Sequence, residues 1–499
     1  MLRKIRTILA AVVFVLITLL FLDFTGTLHH WLGWLAKIQF LPAVMALNVV
    51  VVVVLLLLTL VFGRIYCSVI CPLGVFQDLL ARFRRKKNKY SYSREVRWLR
   101  YPVLVVFVIS ALAGIGSLFQ LLAPYSAYGR IATMIFQPVW EMGNNVLALV
   151  AERADSYAFY SVETWMCSLP VFIIAAVTLV VLFILAWCGG RTYCNTICPV
   201  GTVLSFFARF SFLKIRFDAD KCKNCSMCSK NCKAACIDYK THTVDYSRCV
   251  VCGNCIDSCK FGALKYGSGP TRTNTAREES PDKSVKSDAI DSSKRSFLVA
   301  SAMVTTAALA QKKEKLMDGG LAELEDKVAP ERQTSLTPPG SLSFAHYAQR
   351  CTGCQLCVSE CPNDVLRPSS DLMHLMLPIL SYERGYCRPE CTRCSEVCPA
   401  GAVKLVDKPD KSSIQIGHAV FIKKNCVAIT DEVECGNCAR HCPSGAIEMV
   451  PLNEDNEESP MIPAINEAAC IGCGACEYVC PSRPFSAIYV EGHEVHKKL

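Results

Sequence analysis

Apolar residues gather into four long stretches within the first 190 positions: 8–22 (running on toward Gly26), 43–62, 103–122 and 171–187. A helix needs about 20 such residues to cross a bilayer. The second stretch contains six consecutive valines, 49–54. β-branched residues suit strands in water. A run of about twenty nearly uncharged residues is sustainable in lipid only as a helix, because the backbone must satisfy its own hydrogen bonds there. The pattern therefore predicts an α-helical membrane domain of four spans over residues 1–216. The stretch 131–150 is also apolar but is broken by Gln137, Pro138, Glu141, Asn144 and Asn145; it reads as an interfacial or re-entrant segment. A compact cysteine-rich unit follows at 217–266, then a polar linker at 267–343, then a second cysteine-rich unit at 344–499. The linker carries one apolar run, 297–310, the length of a signal core or a short fifth span.

Charge sets the expected orientation. The N-terminus carries Arg3, Lys4 and Arg6, and residues 63–100 hold ten basic residues against Asp78 and Glu95. Residues 123–169 hold Arg130 and Arg153 against four acids. By the positive-inside rule the N-terminus, the 63–100 loop and the 217–266 unit face the cytoplasm. Residues 344–499 carry 14 Lys+Arg against 20 Asp+Glu, a net of −6, so the residues ahead of them carry +16. The excess borders apolar stretches, which points to topology and not to nucleic acid. Lys294-Arg295-Ser296-Phe297-Leu298 resembles a twin-arginine export signal with Lys in the first place, and Ala308-Leu309-Ala310 resembles a cleavage site. These features predict that the last unit lies outside the cytoplasmic membrane.

A repeat runs through the membrane part. Gly63-Arg64-Ile65-Tyr66-Cys67, then Cys71-Pro72-Leu73-Gly74, matches Gly190-Arg191-Thr192-Tyr193-Cys194, then Cys198-Pro199-Val200-Gly201, at an offset of 127. Each copy follows an apolar stretch.

Cysteine then changes the picture: there are 31. Most stand two or three residues apart, a spacing that rarely reaches disulfide geometry and argues against a secreted disulfide scaffold. Four quartets have the spacing C-x2-C-x2-C-x3-C: Cys222/Cys225/Cys228/Cys232, Cys249/Cys252/Cys255/Cys259, Cys351/Cys354/Cys357/Cys361 and Cys470/Cys473/Cys476/Cys480. Two are variants, Cys387/Cys391/Cys394/Cys398 and Cys426/Cys435/Cys438/Cys442. In such runs three cysteines wrap one [4Fe–4S] cluster and the fourth reaches a second. Zinc ribbons use separated C-x2-C pairs instead. The 24 cysteines thus predict about six [4Fe–4S] clusters on ferredoxin-like α+β modules. Cross-pairing places one on Cys222, Cys225, Cys228 and Cys259, and another on Cys249, Cys252, Cys255 and Cys232. For the late four, either neighbouring quartets pair or the outer two pair around the inner two. Proline follows the fourth cysteine in the late quartets (Pro362, Pro399, Pro443, Pro481), where the early pair has Lys233 and Lys260.

On these motifs the first 265 residues resemble the membrane iron–sulfur subunit of the quinol-oxidising module of periplasmic nitrate reductase. They also resemble the membrane ferredoxins of methylamine utilisation and nitrous-oxide reductase assembly. Residues 344–499 resemble the periplasmic four-cluster partner subunit, through the placing of Cys426 well ahead of Cys435, Cys438 and Cys442. The resemblance implies a quinol dehydrogenase-like component of an oxidoreductase system. It would take electrons from the quinone pool in membrane lipid and pass them through its clusters to a redox partner protein, a reductase or cytochrome. No C-x2-C-H haem motif is present. The alternative is a copper reductase or respiratory assembly factor, a class that shares the spans and C-x3-C-P turns but not the last unit. Cys67, Cys71, Cys194 and Cys198 are candidate redox thiols or metal ligands, against a reading as small apolar residues packed in turns. Cys167, Cys188 and Cys236 fit no repeat and read as ordinary cysteines. His29, His30 and Glu141, on the expected outer side, are weaker candidates to take protons from a quinol.

Overall fold

The computed structural model describes residues 2–23, 26–84, 90–156, 158–162, 167–268, 325–453 and 459–499. The Lys294-Arg295 pair and the run 297–310, expected to be an export signal or fifth span, lie outside the described residues. The helices that position the sites are α1 (Leu2–Leu22), α2 (Phe40–Met45), α3 (Val49–Phe62), α4 (Pro72–Leu80), α5 (Arg97–Leu112), α6 (Gly116–Leu122), α7 (Pro124–Ile131), α8 (Gln137–Arg153), α9 (Leu169–Gly189) and α10 (Pro199–Ala208).

Among the described residues two helices, α1 and α9, have the length and composition to cross a bilayer. Each has 21 residues, or roughly 30 Å at 1.5 Å per residue. The expectation of four continuous spans is corrected. The stretch 43–62 breaks between α2 and α3, where Leu47 sits at φ 55°. There the Asn48 side chain accepts a hydrogen bond from the Val51 N–H at 3.3 Å, capping a helix of 14 residues. The stretch 103–122 breaks between α5 and α6 at Gly114, φ 72°. Hydropathy averages over such a residue, whereas the backbone cannot. The broken segment 131–150 is helical and runs into α8, whose Val139, Trp140, Val146, Leu149 and Val150 face outward. Outward apolar residues also cover α1, α3, α5 and α9, among them Ile8, Val12, Val50, Val54, Ile109, Val177 and Ile184. Exposed apolar side chains along these helices mark a surface that faces lipid or another protein.

The two cysteine-rich units sit at opposite ends of α1. At its start, Arg3 pairs with Asp257 at 3.5 Å, and Leu2 and Arg3 flank Gly253. At its end, Phe21 and the Cys354 carbonyl both crowd Gly129. Gln120 donates to the Cys351 carbonyl at 3.3 Å and Ser126 donates to that of Thr352. One buried apolar core runs the whole way, from Val250 and Cys252 through Cys67 and Cys194 to Cys354 and Leu356.

The repeat is realised in three dimensions. Gly63 and Gly190 end α3 and α9 at φ 76° and 70°, left-handed values that glycine adopts without steric cost. Pro72 and Pro199 open α4 and α10, where a missing N–H costs nothing. A Cβ on Gly74 or Gly201 would collide with the carbonyl of Cys67 or Cys194.

The early unit pairs β1 (Lys214–Phe217) with β4 (Leu264–Gly267), and β2 (Ile237–Asp238) with β3 (Thr243–Val244), all antiparallel. The late unit pairs β5 (Leu366–Pro368) with β6 (Pro378–Leu380), β7 (Ile414–Phe421) with β10 (Ile488–Lys498), and β8 (Ile447–Pro451) with β9 (Met461–Ile465). It also takes in residues 325–343, which the sequence reading left in the linker. Lys327 donates to the Glu477 and Tyr478 carbonyls at 2.6 Å, Arg332 pairs with Glu477, and Leu336 is buried.

Candidate metal centres

In the four regular quartets the second cysteine stands between two left-handed residues: Asn224 and Ser226, Val251 and Gly253, Gly353 and Gln355, Gly472 and Gly474. A third left-handed residue follows three places after the fourth cysteine in five quartets: Ala235, Gly262, Asp364, Gly401 and Gly445. For a non-glycine residue this conformation costs about 1–2 kcal/mol. Repeated strain of this kind marks a functional backbone. It coils the chain so that the thiols and several N–H groups point into one space. The N–H groups of Asn224, Gly353, Val403 and Ala487 reach the Sγ atoms of Cys222, Cys351, Cys398 and Cys480 at 3.3–3.5 Å. Such donors favour the thiolate and tune a bound cluster's potential.

The structure brings the thiols together in six fours. Cys222, Cys225, Cys228 and Cys259 line one small cavity with Phe217 and Phe261. Cys232 faces Cys249, Cys252 and Cys255. The fourth cysteines are therefore exchanged, as the spacing predicts. In the late unit Cys398 faces Cys351, Cys354 and Cys357, while Cys361 faces Cys387 and Cys394, with Cys391 beside them. Cys480 joins Cys426, Cys435 and Cys438 around a second small cavity, and Cys442 faces Cys470, Cys473 and Cys476. Neighbouring quartets pair, which resolves the alternative left by the spacing. Burial pushes the Cys228, Cys361 and Cys438 thiols up to about 11, so a cation is needed to hold them as thiolates near neutral pH. Four soft donors around a walled space, with N–H groups on the sulfur atoms, fit an iron–sulfur cluster. Among the described residues no three His, Cys, Asp or Glu side chains close around a single ion.

The sites form a series. The Cys232 site abuts the helical core through Cys252, and the Cys222 site lies beyond it. At the far end the Cys354 site touches the core. The Cys387 site comes next and meets the Cys473 site, where the Cys387 N–H donates to the Cys473 carbonyl at 2.9 Å. The Cys426 site is last.

Between the two ends lie Cys67, Cys71, Cys194 and Cys198, all buried and none in a disulfide. The repeats exchange arginines across them. Arg64 donates to the Cys194 carbonyl at 3.1 Å, and Arg191 to the Cys67 carbonyl at 2.5 Å. The remaining sequence candidates scatter. His29 is buried beyond the end of α1, with neither ring nitrogen hydrogen-bonded among the described residues. His30 packs edge-on against Trp31, and Glu141 accepts from Gln137 at 2.9 Å. Cys167 is partly buried and Cys188 exposed. Cys236 is not remote: its Sγ lies 3.5 Å from that of Cys232. It occupies the place held by Ala263, Ala402, Ala446, Val365 and Pro484 after the other fourth cysteines, an apolar position beside the cluster space. The left-handed pairs were the feature that sequence reasoning missed; the glycines at 253, 353, 472 and 474 were its only trace.

Family models described as a 4Fe-4S binding domain match residues 44–90 and 168–218, and models described as a 4Fe-4S dicluster domain match 245–365 and 433–483. The 245–365 match joins two quartets that stand at opposite ends of α1. The facing thiols, not that match, define the pairs. The ferredoxin-type protein NapH of Escherichia coli is 28% identical over 44% of this chain and 67% of its own length. NapG of the same organism is 29% identical over 32% of this chain and 75% of its own. The methylamine utilization ferredoxin-type protein MauM of Paracoccus denitrificans is 31% identical over 32% of this chain and 73% of its own. The chain spans 63% of NapH from Haemophilus influenzae and 55% of the putative electron transport protein YccM of Escherichia coli. No solved structure matches. The chain belongs to the 4Fe-4S ferredoxin-type proteins and is an iron–sulfur electron-transport protein.

Proposed function

We propose that the protein sits in the cytoplasmic membrane, oxidises quinol there, and passes the electrons through its clusters to a redox partner protein. The observation that carries this reading is a cavity of about 450 Å³ at the start of α1. Ala10, Ala11, Phe14 and Val15 of α1 form its apolar wall; Asp78, Tyr90 and Lys233 its polar one. Lys233 follows the ligand candidate Cys232, so a quinol head group in the cavity stands beside the second thiol site, with its tail against the outward apolar face of α1. His29, His30 and Glu141 lie toward the other end and take no part. When bound, the clusters accept and relay single electrons; the chain's own part is to seat the ring, exclude water and hold the sites in series.

Membranes containing the protein, given a reduced quinol analogue, are expected to lose the visible iron–sulfur absorption. Ala11→Trp, which fills the cavity, is expected to slow that bleaching roughly tenfold, a cost of about 1.4 kcal/mol, while dithionite still bleaches both proteins. If quinol never bleaches the parent, quinol is not the donor.

The same reading places the late unit outside the membrane and the early one inside. Its support is the roughly 30 Å of apolar helix between them and the basic residues at the early end. A cytoplasm-only reporter fused after Leu499 is expected to be inactive, and protease added to spheroplasts to reach only the late unit. An active reporter, or full protection, puts both units inside.

A further inference from the structure

The four core cysteines belong to none of the six sites, yet they are built as one. Cys67 and Cys71 come from the first turn, Cys194 and Cys198 from its repeat, and all four lie near one another where the two turns meet. Three of the sulfurs already receive donors: Gln77 Nε2 to Cys194 Sγ at 3.4 Å, Gly201 N–H to Cys198 Sγ at 3.3 Å, and Arg64 Nη2 to Cys67 Sγ at 3.8 Å. This is the N–H-to-sulfur arrangement of the other sites. Arg64 and Arg191 are fully buried, and Arg64 Nε, Arg191 Nη2 and Gln77 Oε1 have no partner among the described residues.

Charge points the same way. Arg6, Arg191 and Lys233 share Asp78 at 3.1, 2.9 and 3.3 Å, leaving two positive charges. Arg64 adds a third, since its partners are Asn195 and the Ser247 and Cys194 carbonyls. Buried unpaired cations are costly. An iron–sulfur core with two positive charges and four thiolates is a dianion, of the sign this pocket lacks. Neutral packed cysteines leave the excess uncompensated.

We propose that Cys67, Cys71, Cys194 and Cys198 together hold one further iron–sulfur cluster between the two turns, with Arg64, Arg191 and Gln77 as its positioning residues. This goes beyond a domain-level likeness by naming four ligands contributed two by two. It supplies the missing member of the series, because the same buried core joins these thiols to Cys252 on one side and, by way of Tyr193 and the Leu122 carbonyl at 3.2 Å, to the α6–α7 corner under Cys354 on the other. The proposal does not depend on quinol as donor, and dithionite is the reductant in its test.

The full chain in membranes is compared with Cys71→Ser/Cys198→Ser for iron, acid-labile sulfide and low-temperature EPR after dithionite. The expected result is a loss of four iron and four sulfide per chain, or two of each if the core is binuclear, with one signal gone and the others kept. Gln77→Leu, which leaves every thiol in place, is expected to move the midpoint of that one signal alone. If the double variant cannot be recovered, the Gln77→Leu titration and the parent's iron count decide. Unchanged iron and sulfide in the double variant, or a Gln77→Leu titration superimposable on the parent's, overturns the proposal.

Discussion

Gly129→Ala is expected to uncouple the two ends of the molecule without lowering its iron content. Gly129 lies on α7 where the late unit rests on the helices, and a Cβ there would collide with the Cys354 carbonyl while meeting the Phe21 ring at 3.2 Å. The obstacle is backbone, so no rotamer change relieves it. Around it the contact is close, with Gln120 and Ser126 donating to the carbonyls of Cys351 and Thr352. Overpacking of this kind costs about 1–3 kcal/mol, or roughly 5- to 150-fold in the equilibrium for seating the late unit. Stopped-flow reduction by quinol should therefore show the late clusters lagging the early ones by about that factor. Equal rates in both proteins would mean that the junction is not on the electron path.

Asp78→Asn is expected to be the most damaging single substitution outside the thiols. The carboxylate is nearly buried and takes Arg191 at 2.9 Å, Arg6 at 3.1 Å and Lys233 at 3.3 Å. Those partners come from the second turn, the start of α1 and the early unit, so one side chain ties three parts of the chain together. Removing one side of a buried ion pair costs about 3–5 kcal/mol, and here three cations lose their shared partner. Burial opposes the charge on Asp78, but Arg191, Lys233 and Arg6 outweigh it and hold the carboxyl well below the usual range. Its stabilisation is therefore complete above the ordinary carboxylate value of about 4 and is lost only as pH falls through the depressed one. The deficit of Asp78→Asn should be constant between pH 6 and 8, measured as detergent-solubilised thermal unfolding. A wild-type melting temperature would show that the cations are satisfied by other means.

Much of this was legible in the sequence because metal ligation constrains covalent spacing. Three thiols around one cluster must be close along the chain, so the quartets stand out, and the exchange of Cys232 and Cys259 follows. The pairing of the late quartets was not legible, since it depends on which loops fold back beside one another; β7 and β10, far apart in sequence, bring Cys426 to Cys480. Hydropathy found every apolar segment but not their breaks, which hang on Leu47, Asn48 and Gly114. The repeat was visible as letters, whereas the exchange of Arg64 and Arg191 between its copies exists only once the turns face each other. Asp78 carried no signal at all beyond being one of two acids in a basic loop.

The most direct measurement is iron and acid-labile sulfide per chain in protein purified anaerobically from membranes, with Mössbauer spectra to assign the iron. Six [4Fe–4S] clusters predict about 24 of each, and about 28 when the core thiols also hold a cubane. A colourless protein carrying zinc and little sulfide would contradict the account.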